Sequence, residues 1–336
     1  FVSFSERVDE ERLTILLAGG DRGPGRQGLR TDTMIVATVD VNTGAAALFG
    51  VPRNLKLVPL PADFRHAFDE LAEEVWEWGP DEDEDGFPDE WVDLDGDGIP
   101  DQPELHCHCF PEILNELHNL TQAWTSTYPN SPDPGMDALA DTIGEMIGLP
   151  IDYWMLVDMA GFVRLIDAMG GVDVMVTAPL HVKVSPSEAG LPKARVNVEP
   201  GMNHLSGSEA LAYARWRIGQ SDYVRMQRQR CLIRQVAAQA DPLTMLRSFT
   251  AIADAIEASV VTDIPLSFLP DLVEVVGRID LDRVATVGLV PPRYNSGRTP
   301  RRYPIPNVDR MRAKVAQVLA SGVSAQSTTG ESECGF

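Results

Sequence analysis

Between residues 206 and 234 an acidic chain turns basic. The 336-residue sequence carries a formal net charge of -22. Yet Arg215, Arg217, Arg225, Arg228, Arg230 and Arg234 fall within twenty positions, and the only lysines anywhere are Lys56, Lys183, Lys193 and Lys314. A guanidinium presents a planar fork that grips phosphate or carboxylate through two parallel hydrogen bonds, so the stretch points to an anion site. Ser206 with Glu209 three residues on is a capping box and predicts a helix over 207–214. Arg215 and Arg217 alternate, so in extended chain they point the same way. Gly219 breaks the segment, and Asp222 is placed to cap a second helix running to about residue 240. On that helix Arg225, Arg228 and Gln229 share one face, while Met226, Ile233, Val236 and Ala237 populate another. The helix N-terminus would add its own positive end to the site. The plainer reading is a solvated charged face offsetting the acidic surface.

Three further segments carry chemistry-bearing residues. The loop GGDRGPGRQGLRTDTM places Asp21, Arg22, Arg26, Arg30 and Asp32 between two expected strands. Two carboxylates at strand ends could share a hard cation such as Mg²⁺, and glycine lets backbone approach a ligand; an ordinary polar surface loop is the alternative. Arg53, just past the strand ending at Val51, is another anion contact. The acidic stretch at 79–108 contains Asp81, Asp83, Asp85, Gly86 and Asp89, repeated twelve residues later as Asp93, Asp95, Asp97, Gly98 and Asp101. Alternating carboxylates around a glycine turn make a calcium cage. The pattern looks like thrombospondin type 3 or dockerin loops, and lacks the glutamate that closes an EF-hand. His106-Cys107-His108-Cys109 follows. Zinc is one reading, but no second ligand pair stands at the usual spacing, so a disulfide to Cys231 or Cys334, or free thiols, is expected. His66 and His204 stand singly and are read as structural.

The elements that must position these residues are legible in outline. Apolar runs predict strands at 12–18, 33–40, 45–51, 151–158, 172–176 and 284–290, with a hairpin turn at 41–44. Helices are expected over 63–78, 111–124, 136–147, 160–169, 243–258, 266–276 and 308–319, and 179–201 reads mostly as loop. Strands alternating with helices make this an α/β protein whose sheet is covered on both faces. A pI of about 4.6 argues against a nucleic-acid partner. No run of eighteen apolar residues occurs, so the sequence as given holds no membrane span. It begins at Phe1, and an upstream signal or anchor is expected.

Taken together, GGDR at 19–22, LRTDTMIVATVD at 29–40, ALFGVPRN at 47–54 and RHAF at 65–68 resemble the LytR-CpsA-Psr family. IDYWMLVDMAGFVRLIDAMGGVDV at 151–174, LSGSEALAYARWR at 205–217 and SDYVRMQRQR at 221–230 extend the resemblance in the same order. It implies a three-layer α-β-α sandwich with a mixed central sheet over 11–320, flanked by residues 1–10 and a disordered tail at 321–336. The acidic insert would interrupt this domain. It also implies an extracytoplasmic, membrane-anchored phosphotransferase that moves a glycopolymer from a polyprenyl-pyrophosphate carrier onto peptidoglycan. By resemblance Asp21 and Asp32 would hold Mg²⁺ against the pyrophosphate. Arg30, Arg53, Arg215 and Arg217 would clamp its oxygens, with Arg225, Arg228 and Gln229 completing the pocket. Asp32 or Asp222 would serve as base. Phe162, Leu165 and Ile166 would line a tunnel for the lipid, unless they are simply core. Asn54 stands where the family usually has aspartate. The alternatives are a pyrophosphatase, with water in place of the sugar hydroxyl, and a calcium-dependent surface module that binds an anionic glycan without turnover.

Overall fold

Strand β1 (Arg12–Gly20) turns Leu16 and Ala18 to one face of a sheet and Leu13, Ile15 and Leu17 to the other, as extended chain requires. The computed structural model describes residues 12–20, 29–64, 108–176, 179–184, 194–216, 222–239, 260–279, 284–299 and 302–321. β2 (Thr31–Asp40) lies antiparallel to β1, and β3 (Ala46–Gly50) antiparallel to β2. In the turn between β2 and β3, Asp40 Oδ1 accepts from the amides of Asn42 (3.0 Å) and Thr43 (2.7 Å). Gly44 there has φ +71°, and a Cβ would collide with the Arg278 carbonyl, so the turn requires glycine. β4 (Tyr153–Asp158) runs parallel to β1, β5 (Val260–Thr262) antiparallel to β4, and β6 (Ala285–Gly288) parallel to β3. The mixed sheet therefore reads β5-β4-β1-β2-β3-β6.

Seven α-helices are described: α1 (Leu117–Thr121), α2 (Pro134–Ile147), α3 (Met159–Ala168), α4 (Gly207–Arg215), α5 (Asp222–Gln239), α6 (Leu269–Gly277) and α7 (Val308–Ala320). On one face of the sheet, Leu16, Met34, Phe49 and Trp154 pack against Leu139 and Ile143 of α2 and Met311 of α7. Trp154 is fully buried, and its indole N–H donates to Asp137 (2.7 Å), so the buried polar atom is satisfied. Truncating such a residue costs roughly 3–5 kcal/mol. On the opposite face, the N-terminal end of β1 packs Leu13 with Tyr153, Phe268 and Val275. Toward the C-terminal end of β1, α3, α4 and α5 frame a hollow against that face. The result is the expected α-β-α arrangement with a mixed central sheet.

The region expected as loop over 179–201 is instead largely strand. Leu180–Val184 pairs antiparallel with Ala194–Val198, and Gly201–Leu205 pairs with Val172–Val176. The apolar alternation Leu180-x-Val182-x-Val184 was masked by prolines on either side, although Leu180, Val196 and Val198 are buried against α4. A hairpin of Asn295–Arg298 with Pro304–Pro306 also went unanticipated. The helix expected over 111–124 resolves into a 3-10 turn, Leu114–Glu116, followed by α1. Most of the 63–78 helix, the 243–258 helix, the acidic insert and the tail lie outside the described residues. Among those described no cysteine is free: Cys109 and Cys231 are each disulfide-bonded, which removes the free-thiol reading for both. No described helix is long and apolar enough to cross a membrane.

Candidate active site

One face of α5 sets the character of the hollow. Arg225, Gln229, Leu232, Ile233 and Val236 line it at spacings of i, i+4, i+7, i+8 and i+11, a continuous helical stripe. The stripe begins polar and ends apolar over about 16 Å of helix at 1.5 Å per residue. Opposite stand Leu17, Met155 and Val157 from the sheet. These side chains are only half-buried because they face the hollow, whereas Leu16 and Leu156 beside them are fully packed. α3 closes the apolar end with Phe162, Leu165 and Ile166, and α4 adds Leu211 and Ala214. The cavity measures about 850 Å³, far more than a diphosphate alone would fill.

The polar mouth is held by an alternating chain of charges. β2 starts at Thr31 and so delivers Asp32 to the rim, while the turn after β3 delivers Arg53. Arg53 Nη1 lies 2.6 Å from Asp32 Oδ1, and its Nε lies 3.5 Å from Asp222 Oδ2. Arg225, buried at 3% exposure, donates to Asp222 (3.0 Å) and to the Asp32 carbonyl (3.4 Å). Asn115 donates its amide to Asp32 Oδ1 at 3.2 Å, and its own backbone N–H donates to the Arg53 carbonyl. Burial works against ionisation of Asp32. The Arg53 guanidinium, hydrogen bonds from Arg53 and Asn115, and the charge of Arg225 outweigh it and hold the carboxyl below its ordinary value. A guanidinium carries five N–H donors, so Arg53 keeps donors for an incoming anion while pairing with both carboxylates. Arg30 pairs with Glu116 (2.6 Å) and is the outermost of the group; Arg215, exposed at the end of α4, completes the rim.

Of the residues predicted for the site, Arg30, Asp32, Arg53, Arg215, Arg225 and Gln229 line this one hollow, together with Asn54 and the apolar trio Phe162, Leu165 and Ile166. Asp222 sits behind the rim, paired with Arg53 and Arg225. Asp21 and Arg217 lie outside the described residues, as do Asp81 to Asp101. Arg228 does not enter the hollow. It is 5% exposed, its guanidinium donates to the carbonyls of Tyr213 (3.0 Å) and Trp216, and it lies over both aromatic rings at 5.7 and 5.2 Å. Burial disfavours its charge, and the Tyr213 side chain opposes that effect. Arg228 thus caps the end of α4 rather than contacting a ligand. Ile233 and Val236, expected on another face from Arg225, line the same hollow.

Arg230 is likewise structural in placement: buried, with its guanidinium against Gly50 and Gly288, paired residues at the ends of β3 and β6. A Cβ at Gly50 would approach Arg230 Nη1 to 2.6 Å, so glycine there makes room for the buried cation. Asn115, Asp158 and Tyr303 also line the hollow and had no local signal in the sequence. Each arrives through long-range packing, although Asp158 is legible as the cap of α3, accepting from Gly161 N–H at 2.6 Å.

A cavity with an arginine-rich mouth and an apolar depth can hold a ligand made of an anionic head and a long greasy tail. The LytR_cpsA_psr family model matches residues 89–312, well over half of the chain. The chain belongs to the LytR-CpsA-Psr family. Among curated relatives, it is similar to TagU of Halalkalibacterium halodurans, named a polyisoprenyl-teichoic acid–peptidoglycan teichoic acid transferase. The identity is 33% over 140 residues, 41% of this chain and 43% of TagU. The cell wall biosynthesis protein LcpA of Corynebacterium glutamicum is 33% identical over 137 residues, 39% of this chain and 24% of LcpA. The chain thus spans less than half the length of these relatives. The fold is shared with Bacillus subtilis TagV at a TM-score of 0.59 and 20% identity, covering 95% of this chain and 100% of that one. TagT bound to LIIa-WTA has a TM-score of 0.57 at 17% identity, covering 94% and 92%.

Proposed function

We propose that this protein transfers a glycopolymer from a polyprenyl-pyrophosphate carrier to peptidoglycan, leaving a phosphodiester bond. The observation that carries the reading is the α5 stripe, which leads without interruption from Arg225 and Gln229 at the mouth to Ile233 and Val236 in the depth. The diphosphate sits at the mouth against Arg30, Arg53, Arg215 and Arg225, with Arg217 added by family resemblance, and the prenyl chain lies between α3 and α5. The acceptor hydroxyl oxygen attacks the glycan-bearing phosphorus. A new P–O bond forms, the bond to the lipid-side phosphate breaks, and polyprenyl phosphate leaves. Such a transition state is loose, and its catalysis is mostly positioning plus neutralisation of charge on the oxygens, which is what the arginines supply.

The hydroxyl proton passes to a carboxylate. The two carboxylates that flank Arg53, Asp32 on the rim and Asp222 behind it, are the candidates for this role. An ionised carboxylate at the mouth is the hard donor magnesium takes, and magnesium needs only one or two protein carboxylates beside phosphate. Asp32 would hold it, with Asp21 as the second ligand by family resemblance. When bound, the ion would neutralise charge on the diphosphate oxygens.

The acidic insert we read as a structural calcium site. Disulfide-bonded Cys109 and Cys231 support an oxidising, extracytoplasmic setting, and attachment to the membrane would come through a segment outside this sequence. Incubation with a lipid-pyrophosphate glycan and peptidoglycan tests the reading. Phosphodiester-linked polymer on the wall is the expected product. Release of free polymer phosphate alone would mean a pyrophosphatase, and tight binding with no turnover would mean a glycan-binding module.

A further inference from the structure

From Val284 to Val308 the sequence holds Arg293, Arg298, Arg301 and Arg302 and not one Asp or Glu, in a protein of net charge -22. This second basic stretch contains the hairpin Asn295–Arg298 with Pro304–Pro306. Its end is shaped by short bonds: Thr299 N–H donates to the Tyr303 carbonyl (2.8 Å), Arg302 N–H to the Thr299 carbonyl (2.7 Å), and Arg298 Nη1 to the Arg302 carbonyl (3.0 Å). Arg302 adopts φ +63°, a left-handed conformation uncommon outside glycine, asparagine and aspartate. Arg298 and Arg302 are both exposed.

The hairpin is fastened to the site. Lys56 N–H donates to the Pro304 carbonyl (3.0 Å), tying it to the segment that carries Arg53 and Asn54, and Tyr303 lines the hollow itself. Tyr223, the second residue of α5, is hydrogen-bonded to the Asn54 side chain and lies within electrostatic reach of Arg298; burial raises its phenol above the ordinary value and keeps it a donor.

Direction along α5 decides what this surface meets. The lipid lies toward Val236, so the departing phosphate leaves along α5 toward its C-terminal end. An in-line attack must then come from the other end, where Asp222 and Tyr223 begin the helix. We infer that the Arg298–Arg302 hairpin, with Tyr223 and Tyr303, forms the acceptor subsite and grips a free carboxylate of the wall's peptide stem while the hydroxyl of the attached sugar is presented at the mouth. Two forks suit a carboxylate, and two amphipathic rings suit the sugar beside it. This rests on the transfer reading above.

The test is direct binding of a soluble muropeptide carrying free carboxylates, by calorimetry, beside binding of a short prenyl pyrophosphate to the same samples. The double variant R298A/R302A should weaken muropeptide binding at least about tenfold and leave prenyl-pyrophosphate affinity within about twofold, which also certifies the fold. Amidating the muropeptide carboxylates should reproduce the loss in the wild type. Equal muropeptide affinity in wild type and variant, or no muropeptide binding by the wild type, overturns the subsite. A loss confined to the full lipid-linked glycan donor also overturns it, assigning the hairpin to the donor instead. Failure of the wild type to bind prenyl pyrophosphate would count against the transfer reading itself.

Discussion

Arg228 and Arg215 sit thirteen positions apart and answer to different demands. Arg228 satisfies two backbone carbonyls inside a box of aromatic rings, so Arg228→Ala strands buried acceptors and removes two ring contacts. That should cost about 3 kcal/mol in urea unfolding. Arg215 is exposed on the rim. Its replacement by Ala should leave stability within about 0.5 kcal/mol yet reduce transfer by at least tenfold. Similar losses of stability in both variants would contradict the division. Asp32 offers a pH test of the charge chain. Its folded pKa is below the ordinary 3.8, so its contribution to stability is fully present above that value and lost as pH falls through the lower folded one. The stability gap between wild type and Asp32→Asn should therefore be flat from about pH 5 to 7 and shrink progressively as pH falls below the ordinary 3.8. A gap that widens on acidification would reverse the assigned sign.

At the scale of elements, α5 carries the argument, because its polarity changes along its axis rather than around it. Val236→Trp should fill the deep end and weaken long prenyl pyrophosphates by about tenfold, or about 1.4 kcal/mol, while sparing short ones. Equal loss for both lengths would mean that the tail does not run toward Val236. The same feature explains what sequence reading gets right and wrong here. Helical periodicity alone puts Arg225, Gln229, Ile233 and Val236 within about a quarter turn of one another; sorting by polarity separated the first two from the last two, although all four line one hollow. The limits of α4 and α5 were legible from local chemistry: Ser206 N–H and hydroxyl both meet the Glu209 carboxylate, at 2.9 and 2.8 Å, and α4 ends within a residue of expectation. Arg228 was misplaced because its partners, Tyr213 and Trp216, reach it only through the packing of α4 on α5. The convergence of Asp32, Arg53 and Asp222 has no local signature at all; only the family resemblance anticipated it.

At the scale of the molecule, the described chain on either side of the acidic stretch is joined in one short ladder. Val58 pairs with Phe110 and Pro59 with Cys109, and Leu60 N–H donates to the His108 carbonyl (3.1 Å), while Phe64 is buried in the main core. Cys109 in a disulfide fixes this ladder further. If the repeated aspartates bind calcium, binding is linked to folding of whatever the ion orders. At a hundred times the dissociation constant the gain is about 2.7 kcal/mol. Calcium should therefore raise the midpoint of thermal unfolding, and chelation should lower it, with magnesium at equal concentration ineffective because its octahedral demand suits these loops poorly. Replacing Asp95 and Asp97 by Asn should remove the calcium response but leave prenyl-pyrophosphate binding intact, since the two sites are separate along the chain. A calcium response that survives those substitutions, or an equal one with magnesium, would show that the aspartates act as a solvated acidic run.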